Sequence, residues 1–285
     1  MFSSVKHKVK QYLEKYYRIY LYHRVNSDIN NNQLNLKVST ETFEKQIKTI
    51  CAHNKVCFAS ELVDNNFENA SDNNVAITFD DGYEDNYTYA FPIIKKYKVP
   101  VTIFLTTGFV ESQGDWMISD LTRLCFDKKM INDEPSQAAQ RMRFLKRKEL
   151  TQLLEIETIH STEFNQNNKG LSWDQIKEMQ DSGLVTFEAH GHLHQNLMYL
   201  EKHEIQLEVQ KNIDLLYEKL NHKTTLFAYP FGSHLDINSN TKEYVKNLGF
   251  KAAFMATGRK TAQSSDPFSY DRLICNEDSR LEIFQ

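Results

Sequence analysis

The chain of 285 residues contains no long apolar run, few cysteines and no block of basic residues. No segment approaches the roughly 18 consecutive apolar residues of a membrane-spanning helix. Its four cysteines form no CxxC pair, which argues against a zinc cluster or redox motif, and we expect them to be reduced packing residues. A net charge of −4 without a long basic run does not favour a nucleic-acid partner.

Internal repeats, low-complexity tracts and linkers are also missing, and the N-terminal residues lack the apolar stretch of a secretory signal peptide. We therefore expect a single domain over residues 1–285 and a cytoplasmic location. Residues 1–16 combine basic side chains with apolar ones near helical spacing, which predicts an amphipathic helix. Such a helix either covers one end of the domain or makes a peripheral contact with the inner membrane surface.

Strand-like and helix-like segments alternate along the rest of the chain. Residues 111–169 contain no strong strand and are predicted to form a helical insertion. Apolar residues at helical spacing predict helices elsewhere, the longest over residues 205–220. This alternation predicts an α/β fold with a parallel sheet, open or closed into a barrel. The predicted strands are rich in β-branched and aromatic residues and cover residues 18–22, 74–79, 99–105, 184–188, 224–228 and 251–255.

Chemically distinctive residues follow four of these predicted strands directly. Parallel strands run in one direction, so their carboxyl ends converge on one face of the fold, where active sites form. We therefore expect residues that are far apart in sequence to share one pocket. The four segments are His23-Arg24, Asp80-Asp81-Gly82, His190–His194 and Tyr229-Pro230-Phe231-Gly232.

Two of these segments predict a metal site. Asp80 and Asp81 are adjacent carboxylates, which are costly unless a cation or proton offsets their repulsion. Adjacent residues of an extended chain point in opposite directions, so one aspartate can bind a metal while the other faces the reaction centre. His190 and His194 are four residues apart and can reach the same ion. Two histidines and one carboxylate are typical of catalytic divalent metals, whereas an Asp-Asp-Gly surface turn is the alternative interpretation.

These motifs resemble those of the polysaccharide deacetylases with a NodB homology domain, carbohydrate esterase family 4. Residues 78–82 (TFDDG) look like the first motif of that family, and residues 227–232 (FAYPFG) look like its third. His190–His194 is similar to the second motif, H-[ST]-x-x-H. The similarity extends in the family's order from about His23 to Arg272.

The resemblance implies a distorted (β/α) barrel with fewer than eight units. It implies hydrolysis of an acetyl group, usually N-acetyl, from a sugar, with Asp80 as the catalytic base and one divalent metal ion as cofactor. Zinc suits the donor set, although cobalt, nickel or iron would also fit. The remaining implied site residues are the metal ligands Asp81, His190 and His194 and the oxyanion and substrate-binding residues Phe231, Tyr229 and Pro230.

The chain departs from the family pattern at three places. Gly191 replaces the usual Ser or Thr, which removes a hydrogen bond that braces the loop, and Ala228 replaces an Arg that often pairs with the base. The C-terminal Leu-x-His that supplies the acid is missing. We predict that His23 is the general acid instead, because histidine can hold a proton near neutral pH. His234 is the first alternative and His192 the second.

The same residues leave other functions open. Another metal-dependent C–N hydrolase, such as a deformylase or amidohydrolase, would use an unchanged site. A catalytically inactive sugar-binding relative is favoured by the three departures and disfavoured by Asp80, since a binding module needs no base. The expected cytoplasmic location favours a surface-glycan precursor, such as a nucleotide sugar or lipid-linked sugar, as the carbohydrate partner.

Overall fold

The computed structural model describes residues 15–29, 32, 34–64, 73–112, 143, 145, 146, 149, 169–262 and 265–285. The N-terminal helix predicted for residues 1–16 and the insertion predicted for about 111–169 lie almost entirely outside the described residues. The proposed domain organisation therefore stays a prediction. No helix within the described ranges combines the length and apolar character needed to cross a bilayer.

Strands and helices alternate in the order that the sequence predicts. The strands are β1 (Tyr16–Tyr22), β2 (Arg24–Asn26), β3 (Lys37–Ser39), β4 (Lys55–Cys57), β5 (Asn74–Asp81), β6 (Val101–Leu105), β7 (Val185–Ala189), β8 (Leu226–Ala228), β9 (Ala252–Phe254), β10 (Thr261–Ala262) and β11 (Leu273–Ile274). The helices are α1 (Thr40–His53), α2 (Ala59–Asp64), α3 (Phe91–Tyr97), α4 (Thr107–Ser112), α5 (Trp173–Asp181), α6 (Lys202–Leu220) and α7 (Ser239–Asn247). A π-helical turn, Asn86–Ala90, leads into α3.

The main sheet has the order β10-β1-β5-β6-β7-β8-β9. Its strands from β1 to β9 pair in parallel, with Ile19 opposite Ala76 and Phe79 opposite Ile103. β4 also pairs with β5 in parallel, and β10 is antiparallel to β1. The carboxyl ends of β1, β5, β7 and β8 consequently lie at one end of the sheet, which confirms the expected parallel arrangement.

The sheet curls into a half-barrel, and a short C-terminal segment lies between its two edges. Tyr270 forms a parallel bridge with Phe254 of β9, while β11 pairs in parallel with β1. The Tyr270 N–H donates to the Ala253 carbonyl at 3.0 Å, and the Cys275 N–H donates to the Leu21 carbonyl at 2.8 Å. The distorted barrel is therefore confirmed, and this segment places Arg272 inside it.

Three helices illustrate how the sequence determines helix ends and buried faces. Ser172 and Gln175 form a reciprocal capping box at the start of α5. α6 buries Ile205, Val209, Leu216 and Leu220 on the face predicted from their spacing. α7 ends just before Gly249, whose φ of +94° is the left-handed conformation common after helices. These helices pack on the sheet and fix the loops at its carboxyl end.

Candidate metal and catalytic site

Asp80 and Asp81 end β5 and are both buried, with exposures of 2% and 4%. Asp81 has a φ of +75° and Gly82 a φ of +85°. The chain therefore leaves extended geometry one residue before the predicted glycine turn. Because of this turn, the two carboxylates do not diverge as neighbours on a strand would. Asp80 Oδ2 lies 3.8 Å and Asp81 Oδ1 lies 3.4 Å from the same His190 Nε2.

His190 and His194 follow β7 and converge on Asp81. The Asp81 Oδ1 atom is 3.4 Å from His190 Nε2 and 3.4 Å from His194 Nε2. The candidate ligand atoms of these three residues all lie within 4.8 Å of one another. The structure thus brings together the three predicted metal ligands, which come from two different strand ends.

The donor set of this cluster fits a divalent cation. Asp81 Oδ1 is buried and has no hydrogen-bond partner within the described residues. An unpaired buried carboxylate oxygen is costly unless a cation compensates it. Two imidazole nitrogens and one carboxylate oxygen are also a common set of protein ligands for catalytic zinc. The residues present therefore fit the metal that the sequence predicts.

The backbone fixes the orientation of the His190 ring. His190 Nδ1 lies 2.8 Å from the carbonyl oxygen of Ala228, at the end of β8. A carbonyl only accepts, so Nδ1 carries a hydrogen, and Nε2 is the ring nitrogen that faces Asp81 and could bind a cation through its lone pair. Such a hydrogen bond behind the ring is typical of metal-binding histidines.

The charges in the cluster shift its pKa values in different directions. Burial lowers the pKa of His194 to about 4, so this ring is neutral at pH 7. Burial would also lower the pKa of His190, but the carboxylates of Asp80 and Asp81 raise it above its ordinary value. Burial would raise the pKa of Asp81, yet the two imidazoles hold it well below its usual range. Asp81 is therefore an ionised carboxylate at neutral pH.

Arg272 pairs with Asp80 and is the functional residue that the sequence reasoning missed. Its Nη1 donates to Asp80 Oδ1 at 2.7 Å and its Nη2 to Asp80 Oδ2 at 2.6 Å. Burial would raise the pKa of Asp80, but Arg272 and His190 bring it below the ordinary value. Ala228 stands where an Arg often pairs with the base in the family, and in this chain Arg272 of the C-terminal segment supplies that cation instead. No motif around residue 272 signals this pairing.

His23 lies at the edge of the same cluster, after β1. Burial lowers the pKa of His23, and the charges of Asp81 and Asp80 oppose that shift. Its side chain is half-buried, and its carbonyl accepts a hydrogen bond from Asn86 Nδ2 at 2.8 Å. His23 is thus within electrostatic reach of both carboxylates.

The other two histidines considered as acids lie elsewhere. His192 is buried, and its Nδ1 is 3.0 Å from Thr107 Oγ1. This contact directs the His192 ring toward α4. His234 is exposed on the turn that follows the third motif. Neither residue is among the groups with the largest effects on the pKa of Asp80 or Asp81.

The segment after β8 forms the wall beside His194. Phe231 has a φ of +64°, and its ring meets the His194 ring edge-to-face at 4.8 Å between centroids. Tyr229 is buried and donates its hydroxyl to the Phe268 carbonyl at 3.1 Å, while Pro230 packs beside Gly191. Phe231 therefore borders the cluster, while Tyr229 and Pro230 support the turn that holds it.

Comparison with known proteins matches most of this chain to one family. The family model described as Polysaccharide deacetylase matches residues 67–253, which include both aspartates, both histidines and the Phe231 turn. The chain belongs to the polysaccharide deacetylase family.

Similar proteins and solved structures are deacetylases as well. The chain is 25% identical over 258 residues to a poly-β-1,6-N-acetyl-D-glucosamine N-deacetylase of Staphylococcus aureus, covering 86% of this chain and 70% of that relative. Among solved structures, the deacetylase PplD of Streptococcus pyogenes has a TM-score of 0.68 at 20% identity, covering 94% of this chain and 96% of that one. IcaB of Ammonifex degensii has a TM-score of 0.66 at 22% identity, covering 95% and 96%. These two structures share the fold.

Proposed function

We propose that this chain is a metal-dependent deacetylase that removes N-acetyl groups from N-acetylglucosamine units of a glycan. The observation that carries the proposal is that two adjacent carboxylates have different partners. Asp81 directs an unpartnered Oδ1 at two imidazoles 3.4 Å away, whereas Arg272 binds both oxygens of Asp80. One carboxylate is thus suited to a metal and the other to proton transfer.

The residues divide the chemistry as follows. A divalent cation, for which the donors favour zinc, would be held by Asp81, His190 and His194 and would polarise the acetyl carbonyl and acidify a water molecule. Asp80 stays ionised beside Arg272 and accepts the proton of the attacking water. Its Oδ2 lies 3.8 Å from Nε2 of His190, one of the proposed ligands, which supports this role. A carboxylate oxygen can accept this proton while it also accepts the arginine hydrogen bond.

Two further groups complete the reaction. The backbone N–H of Phe231, on the turn beside His194, is assigned to stabilise the oxyanion of the tetrahedral intermediate. His23 is assigned to protonate the departing nitrogen, because an amide anion is too poor a leaving group to depart unprotonated. The lowered pKa of His23 makes its protonated form a stronger acid and reduces the fraction of the ring that is protonated at neutral pH.

The substrate part of the proposal draws on the relatives. The Staphylococcus aureus relative is a deacetylase of poly-β-1,6-N-acetyl-D-glucosamine. We extend this substrate class to the present chain and predict action on β-1,6-linked N-acetylglucosamine. A cytoplasmic or membrane-peripheral location, and hence a lipid-linked precursor as substrate, is the companion hypothesis. Acetate release from polyprenyl-linked sugars, compared with free oligomers, would distinguish the two substrate forms.

The test is acetate release from β-1,6-linked N-acetylglucosamine oligomers by zinc-loaded protein. Asp80→Asn should lower turnover by about 10²- to 10⁴-fold, the usual contribution of a general base, and should retain zinc. Asp181→Asn, which alters an exposed aspartate at the end of α5, is the matched control. His23→Ala should lose turnover and retain zinc, whereas His234→Ala should keep both turnover and zinc.

Two results would contradict the proposal. Undiminished acetate release by Asp80→Asn would remove the base from the mechanism. If zinc-loaded wild type released acetate from none of a panel of N-acetylated sugars, the activity itself would be rejected, and an amidohydrolase or an inactive sugar-binding relative would replace it.

A further inference from the structure

The loop that carries both histidine ligands has an unfavourable backbone conformation. Gly191 has a φ of +81° and His194 a φ of +53°. A residue with a β carbon is seldom found in this region, because the β carbon crowds the backbone. Residues in such conformations persist where surrounding contacts enforce them. The contacts that hold His194 in place are therefore part of how the metal site is built.

Glu208, on α6, supplies contacts on both sides of His194. Its Oε1 accepts the backbone N–H of Leu193 at 2.7 Å and that of Gln195 at 3.3 Å. Its Oε2 accepts the Gln195 side-chain amide at 3.2 Å. The Glu208 carbonyl also accepts the His192 N–H at 3.1 Å. Glu208 is 4% exposed, so these hydrogen bonds form away from solvent, where they constrain the loop strongly.

Asn212 holds the preceding part of the loop from the next turn of α6. Its Nδ2 lies 2.6 Å from the Gly191 carbonyl and 2.9 Å from the Leu105 carbonyl at the end of β6. Residues four apart on a helix share one face, so Glu208 and Asn212 together present a polar surface to the loop. This surface ties the loop to α6 and to the sheet.

Gly191 and Glu208 are complementary in space. A β carbon built on Gly191 would lie 2.9 Å from Glu208 Oε1, closer than normal contact. The resemblance described above places a Ser or Thr at this position, with a hydroxyl that braces the loop. In this chain the carboxylate of Glu208 occupies that space, and Glu208 makes bracing hydrogen bonds of its own.

We propose that Glu208 is a positioning residue of the metal site, which holds His194 at its ligand position through the N–H groups of Leu193 and Gln195. The inference rests on the metal site of the proposed function. Residues that orient metal ligands typically account for 10- to 100-fold in metal affinity when they are replaced. Zinc affinity, measured without any substrate, is therefore the appropriate readout.

The experiment is calorimetric titration of the metal-free full chain with zinc chloride. Glu208→Met keeps the side-chain volume and removes both acceptors, and it should weaken zinc binding by about 10- to 100-fold. Glu208→Gln keeps Oε1 as an acceptor and should restore most of that affinity. Glu218→Met, at an exposed glutamate on the same helix, should bind zinc like wild type.

A second pair of variants tests the complementarity without removing Glu208. Gly191→Ala should weaken zinc binding by about tenfold or more, because its β carbon displaces Glu208 Oε1. Gly183→Ala is the matched control: Gly183 also has a positive φ, of +71°, but among the described residues nothing contacts the site of its β carbon. Gly183→Ala introduces similar backbone strain and should leave zinc affinity unchanged. This pair remains informative if Glu208→Met does not fold.

Three outcomes would overturn the inference. Folded Glu208→Met with wild-type zinc affinity would show that the brace is dispensable, and equal zinc affinity of Gly191→Ala and Gly183→Ala would show that the contact does not matter. Wild type that binds no zinc would remove the site itself. Wild type that binds zinc but releases no acetate would reject only the proposed deacetylase activity, because the affinity shifts are measured without substrate.

Discussion

Asp80 and Asp85 are five residues apart, both are buried, and each forms an ion pair with an arginine from another part of the chain. Asp80 pairs with Arg272 from the segment between β9 and β11. Asp85 pairs with Arg24, the first residue of β2. The two pairs have the same chemical components and similar burial, yet their carboxylates have opposite pKa shifts.

The difference lies in how each guanidinium meets its carboxylate. Arg272 donates from both Nη atoms to both oxygens of Asp80, at 2.7 and 2.6 Å. Arg24 donates from Nε to one oxygen of Asp85 at 2.7 Å, and its guanidinium lies 4.3 Å from the Tyr83 ring centroid. Bidentate, charge-assisted pairs are the stronger type.

The pKa values follow this geometry. Burial raises the pKa of Asp85, and Arg24 does not fully offset it. Burial acts in the same direction on Asp80, but Arg272 and His190 outweigh it, and the pKa of Asp80 is lowered. A buried Arg–Asp pair therefore does not by itself define a role. One pair keeps the proposed base ionised beside the proposed metal ligands, and the other holds β2 near His23.

Replacing Arg272 should have the largest effect on activity and should remove the difference between the pKa shifts of Asp80 and Asp85. In Arg272→Met the arginine no longer opposes the burial of Asp80, so the pKa of this carboxyl should rise and the ordered, ionised base should be lost. We expect turnover to fall by about 10²- to 10⁴-fold, with zinc still bound by the three ligands. Steady-state kinetics and metal analysis measure both. Loss of zinc together with activity would instead mean that Arg272 shapes the whole site.

The pH profile of turnover should report how strongly Arg272 lowers the pKa of Asp80. A base must be ionised, and the pKa of Asp80 lies below its ordinary value. Wild type should therefore keep its base ionised as the pH falls to about 4, the ordinary range of aspartate. In Arg272→Lys, which cannot form the bidentate pair, the pKa of Asp80 should rise and the acidic limb of kcat/KM should move to higher pH. An unshifted limb would assign that limb to another group.

Replacing Arg24 should lower stability more than it lowers turnover. Arg24→Met leaves Asp85 as a buried charge without its partner, which typically costs about 3–5 kcal/mol in free energy of unfolding. The folded pKa of Asp85 is raised above its unfolded value, so the native state gains stability as the pH falls and Asp85 takes up a proton. The loss relative to wild type should therefore shrink between pH 7 and pH 5. Urea unfolding at both pH values tests this, and a loss that grows at low pH would contradict it.

The sequence predicted the parts of this site that depend on local pattern. Apolar strands followed by Asp80-Asp81 and by His190–His194 predict the candidate metal ligands, because strand direction brings the strand ends together. Ser172 and Gly249 mark helix ends through capping chemistry that involves only neighbouring residues. These features need no knowledge of distant contacts, and the structure brings the two aspartates and the two histidines together as expected.

The supporting residues could not be predicted in the same way. Arg272 lies 192 residues from Asp80 and reaches it because its segment lies between the two edges of the sheet. Glu208 occurs among the apolar positions of α6 and resembles any polar helix residue until Gly191 is placed beside it. Their roles depend on the packing of distant segments, which periodicity and motif spacing do not describe.

The smallest effect is expected for a third ion pair, which lies at the surface, unlike the two buried Arg–Asp pairs. Lys96 Nζ lies 2.5 Å from Glu44 Oε1, as close as the buried pairs, but the Lys96 side chain is 63% exposed. Solvent and salt screen exposed charges, and ordering two long side chains offsets much of their attraction. Lys96→Met should therefore leave the melting temperature, zinc affinity and turnover close to those of wild type. Thermal unfolding at low and high ionic strength measures the difference. A drop in melting temperature as large as that of Arg24→Met would show that contact distance outweighs burial in these pairs.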